Sequence, residues 1–280
     1  MENGVVAATL LAGVLGAAVG SFLNVVAWRI PRGESLIRPA SRCTSCGGAI
    51  AWVDNLPVLS WFLLRGRCRK CGARFSIRYA LVELLTALLF AGAMLHSGMT
   101  WLFLRDAIFL SLLVCTVLTD LDGWIILDSV SIGGTAVGIA LSLLPGGVGL
   151  LPSVLTAAGS FSLFLLIRLA STLYLRRKPG YTIAPEGHED EAEEFQGGMG
   201  WGDIKLAAMI GAFLGPASAA VAFFAAFLTG ALFGIAVIAR GRDRRVPVPF
   251  GPFMALGAAA ALFAGPALWA LYWQPAARGK

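Results

Sequence analysis

Long apolar runs, broken only by a few charged clusters, dominate this chain and leave it few ways to fold. They lie near Val5–Trp28, Tyr79–Leu95, Trp101–Thr119, Ser129–Leu144, Leu151–Leu175, Ile204–Leu214, Ala217–Ala239 and Pro252–Trp273. A membrane-spanning helix needs about 20 apolar residues. The stretch from Ile204 to Ala239 is too long for one span, and Gly215-Pro216 marks a turn within it. With 58% hydrophobic and 14% charged residues over 280 positions, the chain is too apolar for a soluble domain. The expectation is an all-α polytopic integral membrane protein of about eight transmembrane helices, surrounded by membrane lipids. The first run does not read as a cleavable signal, because Glu2 precedes it and Arg29 and Arg32 follow an overlong apolar core. Within it, Gly16 and Gly20 form a small-xxx-small pair for close helix packing. Asn24 is expected to make an interhelical hydrogen bond.

Basic residues report orientation. The net charge of +6 is therefore no nucleic-acid footprint, and no nucleic-acid partner is expected. Ten Lys and Arg fall between Arg29 and Arg78. Arg176, Arg177 and Lys178 follow the fifth run, and Arg240, Arg242, Arg244 and Arg245 follow the seventh. The alternate connections, His96–Thr100, Pro145–Gly149 and the turn at Pro216, are nearly bare, with Arg278 and Lys280 as minor exceptions. The positive-inside rule then places both termini outside and the basic loops in the cytoplasm.

The largest basic loop carries two C-x-x-C-G knuckles, Cys43-Thr-Ser-Cys46-Gly and Cys68-Arg-Lys-Cys71-Gly, separated by 21 residues. Two such knuckles supply four thiolates to one tetrahedral Zn²⁺. The spacer is one residue beyond the usual range, which a short hairpin would absorb. The competing reading is two disulfides, which a reducing cytoplasm disfavours. Cys115 lies in an apolar run and reads as packing.

Two acids stand at cytoplasmic ends of apolar runs. Asp120 closes the third, in Thr119-Asp120-Leu-Asp122-Gly, and Asp203 opens the sixth, in Gly200-Trp201-Gly202-Asp203. The sixth run has only about eleven apolar residues before Gly-Pro, roughly 16 Å of helix. That is short of a ~30 Å hydrocarbon core, so Asp203 is expected in a water-open recess below the interface. Ionisable residues at such depth are functional candidates, and two carboxylates sharing a site act as base and acid on one water. The plainer reading is a solvated cap for Asp120 and a helix-dipole partner for Asp203. Asp122 and Asp128 read as surface or capping residues. A phosphate cradle around Gly200 and Gly202 is disfavoured, because no strand precedes it and an acid opens the helix. Arg168, within the fifth run, reads as snorkelling. The acidic stretch Glu186–Glu194 reads as a solvated loop.

Gly200-Trp-Gly202-Asp203 resembles the GxGD signature of membrane aspartyl proteases. Its continuation, Ile-Lys205-Leu-Ala-Ala-Met-Ile-Gly211-Ala-Phe-Leu-Gly215, resembles the bacterial type IV prepilin peptidase family. So do Gly20-Ser-Phe-Leu-Asn24 through Pro31, the cysteine loop with Asp54-Asn55-Leu-Pro57, Arg78-Tyr79-Ala-Leu-Val-Glu83 and Pro249-Phe250-Gly251-Pro252-Phe253. Two positions depart from the family pattern: Ile126-Leu127-Asp128 stands for Leu-Pro-Asp, and Thr44 for a proline.

The resemblance implies a hydrolase that cleaves the basic leader of type IV prepilins and type II secretion pseudopilins at the cytoplasmic face of the bacterial inner membrane. It also implies N-methylation of the new terminal residue with S-adenosylmethionine. The family's catalytic aspartates map onto Asp120 and Asp203, and its cysteine tetrad onto Cys43, Cys46, Cys68 and Cys71. Residues 1–95 are expected to carry the zinc head and the methyltransferase, and residues 96–280 the peptidase core. No strand–Gly-turn–helix unit appears for the methyl donor. The groups available in the first region are Asn24, Asp54, Asn55 and Glu83, with Arg78 or Arg29 as partners for Glu83. The alternatives are a peptidase without methyltransferase activity and a non-enzymatic membrane-anchored zinc adaptor. A transporter is disfavoured because the acids gather at one membrane face while the spans are otherwise nearly charge-free.

Overall fold

The structure is a computed structural model that describes residues 2–38, 40–176, 199–240 and 248–278. The expectations for Arg177, Lys178, Glu186–Glu194, Arg242, Arg244, Arg245 and Lys280 fall outside these residues. The described residues are overwhelmingly helical and contain no strand, only the isolated bridges Arg42–Ala49 and Arg67–Arg74. The helices are α1 Glu2–Arg29, α2 Leu59–Leu63, α3 Arg78–Ser97, α4 Trp101–Gly123, α5 Asp128–Leu141, α6 Leu150–Arg176, α7 Trp201–Ala239 and α8 Gly251–Arg278. Six of them, α1, α3, α4, α6, α7 and α8, are long and apolar enough to cross a membrane. Helix α5 is apolar but has 14 residues.

The turn expected at Gly215-Pro216 divides the 39-residue stretch labelled α7: along α6 the chain passes Arg168 at Trp201, Ser153 at Ala212 and then Phe164 at Phe223, so it doubles back there. Gly215 adopts φ 69° and ψ 179°, which breaks the helical path. Pro216 then opens the next segment, where its missing N–H leaves no intrahelical bond unmade.

The chain forms two compact units, Met1–Thr119 and Asp120–Lys280, divided inside α4. In the first, α1 packs along α3. Gly16 and Gly20 face α3 so closely that a Cβ on Gly20 would stand 2.9 Å from the Glu83 Cα. Asn24 donates from Nδ2 to the Tyr79 carbonyl at 3.3 Å, the interhelical bond expected of it. In the second unit α7 is central, packed against α5, α6 and α8. Ile204, Leu206, Met209 and Ile210 are fully enclosed. Between helices in lipid, van der Waals packing replaces the hydrophobic driving force, so small residues that allow close approach are favoured. Ala207, Gly211 and Ala212 supply them here. Phe164 of α6 packs against Phe223 and Phe227 of α7, with ring centroids 4.9 and 5.7 Å apart.

Candidate functional site

Two helix starts and one helix end build the acidic site in the second unit. Asp120 sits in the last turn of α4 and is only 5% exposed. Its Oδ2 accepts the backbone N–H of Gly251, the first residue of α8, at 2.9 Å. A helix start leaves its first N–H groups without intrahelical acceptors, so a carboxylate there completes them. Gly251 permits this approach, because a Cβ at that position would lie 2.5 Å from Asp120 Oδ2.

Asp203 is the third residue of α7, and its Oδ2 accepts the Gly200 N–H at 3.2 Å. This is the acidic half of a capping box. The place at a helix start considered for Asp203 is therefore present, and the bond to Gly200 also aims the carboxyl group. Gly202 lies against Ile126, whose Cβ would be 2.8 Å from a Cβ at 202. Asp120 and Asp203, 83 positions apart in sequence, come within electrostatic reach of each other, and Arg168 acts on Asp203 as well.

Arg168 differs from its reading as a snorkelling side chain. It donates to the Met199 carbonyl, and its guanidinium lies 4.9 Å from the centroid of the Trp201 ring. It thus braces the turn that precedes Asp203. Asp128, at the first position of α5, pairs with Lys205 of α7 and is exposed, as is Asp122.

The first unit carries a different donor set. The four Sγ atoms of Cys43, Cys46, Cys68 and Cys71 lie within 4.8 Å of one another. Four sulfurs at about 2.3 Å from one tetrahedral Zn²⁺ stand about 3.8 Å apart. Cys43 Sγ and Cys71 Sγ are separated by 3.8 Å, and none of the five cysteines forms a disulfide. The donor set therefore fits the ion.

Each knuckle is closed the same way. Cys43 N–H donates to Gly48 O and Gly47 N–H to Cys43 O; Cys68 N–H donates to Ala73 O and Gly72 N–H to Cys68 O. Gly47 and Gly72 adopt φ 67° and 71°, the left-handed region where glycine carries no steric cost. The backbone N–H groups of Cys46 and Ser45 hold the Cys43 thiol down to about 6. At Cys71 the Ala73 N–H acts downward, but desolvation and the neighbouring thiols push it up to about 11. The 21-residue spacer is not a hairpin. It contains a 3₁₀ turn, Trp52–Asn55, and the short helix α2. Asp54 in that turn pairs with Arg69 of the second knuckle at 2.6 Å, tying spacer to knuckle.

Glu83 has its own partner in this unit: Oε2 accepts the Val58 N–H at 2.7 Å. A cavity of about 700 Å³, lined by residues between 21 and 83, opens between α1, α3 and the cysteine loop. Sequence reading passed over Asp106, which is fully buried and paired with Arg105 at 2.7 Å and with the Ser97 hydroxyl. The adjacent Arg105-Asp106 within an apolar run was its only trace. Cys115 is 2% exposed, in keeping with packing.

Residues 14–97 match the bacterial Peptidase A24 N-terminal domain, and residues 107–235 match the type IV leader peptidase family. A prepilin leader peptidase/N-methyltransferase of Myxococcus xanthus is 38% identical over 230 residues, covering 82% of this chain and 63% of that protein. The protein of the same description from Bacillus subtilis is 33% identical over 260 residues, 92% of this chain and 95% of the relative. That from Aeromonas hydrophila is 32% identical over 279 residues, covering 91% and 90%. No solved structure matches the chain.

Proposed function

The chain belongs to the type IV leader peptidase family, and from that premise we propose that it cleaves the leader of type IV prepilins and type II secretion pseudopilins, then N-methylates the new terminal residue with S-adenosylmethionine. The observation that supports the first step is that Asp120 and Asp203, held by the Gly251 and Gly200 N–H groups at the starts of α8 and α7, lie within electrostatic reach of each other. In this reading the two carboxylates hold one proton between them. The ionised member draws a proton from a water as its oxygen attacks the scissile carbonyl carbon. The protonated member donates to the carbonyl oxygen, and the returning proton goes to the leaving amine as the C–N bond breaks. Which aspartate holds the proton belongs to the pair rather than to either residue. The Gly251 and Gly200 N–H groups keep the two carboxyl groups in place through the cycle.

The thiolate head is read as a structural Zn²⁺ site held by Cys43, Cys46, Cys68 and Cys71. Its donor number and spacing support this, and a closed Cys₄ set leaves no ligand position for substrate. The division of labour assigns residues 1–95 to the zinc head and methyl transfer and residues 96–280 to the peptidase core. Placement in the bacterial inner membrane follows from the apolar helices and the family. The Arg and Lys asymmetry supports periplasmic termini and a cytoplasmic head and acidic site. In that orientation the substrate's apolar helix stays in lipid while its basic leader reaches Asp120 and Asp203 from the cytoplasm.

The test is to incubate the purified protein with a prepilin, with and without S-adenosylmethionine, and to read the products by mass spectrometry. The expected products are the free leader in both cases, and a mature chain one methyl group heavier only when the donor is present. An uncleaved substrate overturns the peptidase reading. A cleaved but never methylated product overturns the methyltransferase half.

A further inference from the structure

Methyl transfer to an amine still lacks residues. The reaction joins a sulfonium cation to a neutral amine, so it needs a closed space, a negative group and apolar planes. We infer that the cavity of about 700 Å³ in the first unit is where the methyl donor and the new amino terminus meet, with Glu83 facing their positive charge. The inference rests on the reading that this chain methylates its product.

Five observations point there. The volume lies in the range of small-molecule sites, roughly 300–1,000 Å³. Glu83 lines the cavity and is 9% exposed; the Val58 N–H and the Ser21 side chain hold its carboxylate in place. Its partner Val58 has φ 63° and ψ −54°, a conformation that a β-branched residue adopts only when its surroundings compel it. Strain of this kind collects at ligand clamps. Trp61 and Tyr79 also line the cavity and present aromatic surfaces for a sulfonium and an adenine ring. Arg42 and Arg67, both lining and exposed, suit the donor's own carboxylate.

In the step itself, the amine lone pair attacks the methyl carbon while the carbon–sulfur bond breaks with its electron pair going to sulfur. Positive charge passes from sulfur to nitrogen without changing in total, so one fixed carboxylate serves both ends. The secondary ammonium then loses a proton to water. Asn24, bonded to the Tyr79 carbonyl, holds α1 against α3 at the same wall.

The experiment measures S-adenosylmethionine binding to the full-length protein in detergent by calorimetry. Glu83→Gln removes the charge but keeps an oxygen for the Val58 N–H. Ala51→Trp adds bulk at an exposed lining position. Each is expected to weaken binding at least tenfold while bound zinc stays at the wild-type level. Leu155→Trp, in the separate groove between α6 and α7, is expected to bind as wild type does. Wild-type affinity in either cavity variant overturns the assignment. A second measurement does not depend on variants folding: ultraviolet crosslinking of labelled S-adenosylmethionine should mark a peptide within residues 21–83. Label found only beyond residue 119 places the donor elsewhere. A wild-type protein that binds no donor and leaves cleaved pilin unmethylated removes the methyltransferase reading itself, not merely its location.

Discussion

The thiolate head and the acidic site hold their side chains by opposite means. In the head, the cysteines sit on tight backbone turns with little apolar packing around them. Cys43 is buried, but Cys46 and Cys71 are exposed, and the spacer's large apolar residues Trp52, Leu59 and Leu63 are exposed as well. Such a loop draws much of its folding free energy from its metal. The aspartates instead sit at helix termini, with Asp203 at the start of a stretch, Leu206–Gly215, that is buried throughout. Their geometry is inherited from helix packing. One site should therefore depend on an ion and the other on side-chain volume.

The largest expected effect separates chemistry from scaffold. Asp120→Asn and Asp203→Asn each keep size and hydrogen bonding but remove an ionisable acid. Leader cleavage is expected to fall by about 10³-fold or more, read by gel shift of a prepilin, with helix content unchanged by circular dichroism. Near-normal cleavage by Asp203→Asn contradicts the shared-proton mechanism.

Next is Gly251→Ala. The added Cβ has 2.5 Å to Asp120 Oδ2, so the carboxyl group must move. Displacement of a reacting group by about 1 Å costs about 10²-fold, and that loss in cleavage is expected without loss of zinc. A fully active variant would show that Asp120 does not work from this position.

Metal removal should strike the other region. Cys46→Ser, or a strong chelator, is expected to abolish about one equivalent of zinc and expose residues 41–75 to protease. Cleavage should then fall by less than about tenfold, because the enclosed helices of the second unit have no ligand in the metal. Zinc content by plasma mass spectrometry and the proteolytic pattern check it. A metal-free protein with an intact head breaks the comparison at its root.

The smallest effect is expected at the Asp128–Lys205 pair, where Asp128 is exposed. Asp128→Asn should cost about 0–1 kcal/mol of stability, as exposed ion pairs do, and change cleavage by less than about threefold. Melting temperature and initial rates decide it.

Much of this was legible in residues that act locally. The C-x-x-C-G repeats announced the donor set. Apolar runs located the helices, because backbone groups in lipid must be satisfied within each helix. What stayed hidden depends on encounters across the chain. The Asp120–Gly251 bond joins residues 131 apart, and nothing local to Gly251 shows that a carboxylate will press on it. Arg168 looked like a stray cation until Met199 and Trp201 were placed beside it. The spacer's helical turns were masked by its length, which a hairpin would also have explained.

The central claim is that cleavage and methylation use separate regions of one chain. The direct measurement is to give Asp203→Asn protein a synthetic, already cleaved pilin N-terminus together with S-adenosylmethionine, and to follow the methylated peptide by mass spectrometry. Methylation at a rate close to wild type, from a protein that removes no leader, is the predicted result. A correctly folded variant that can neither cleave a prepilin nor methylate the pre-cut peptide would contradict the division.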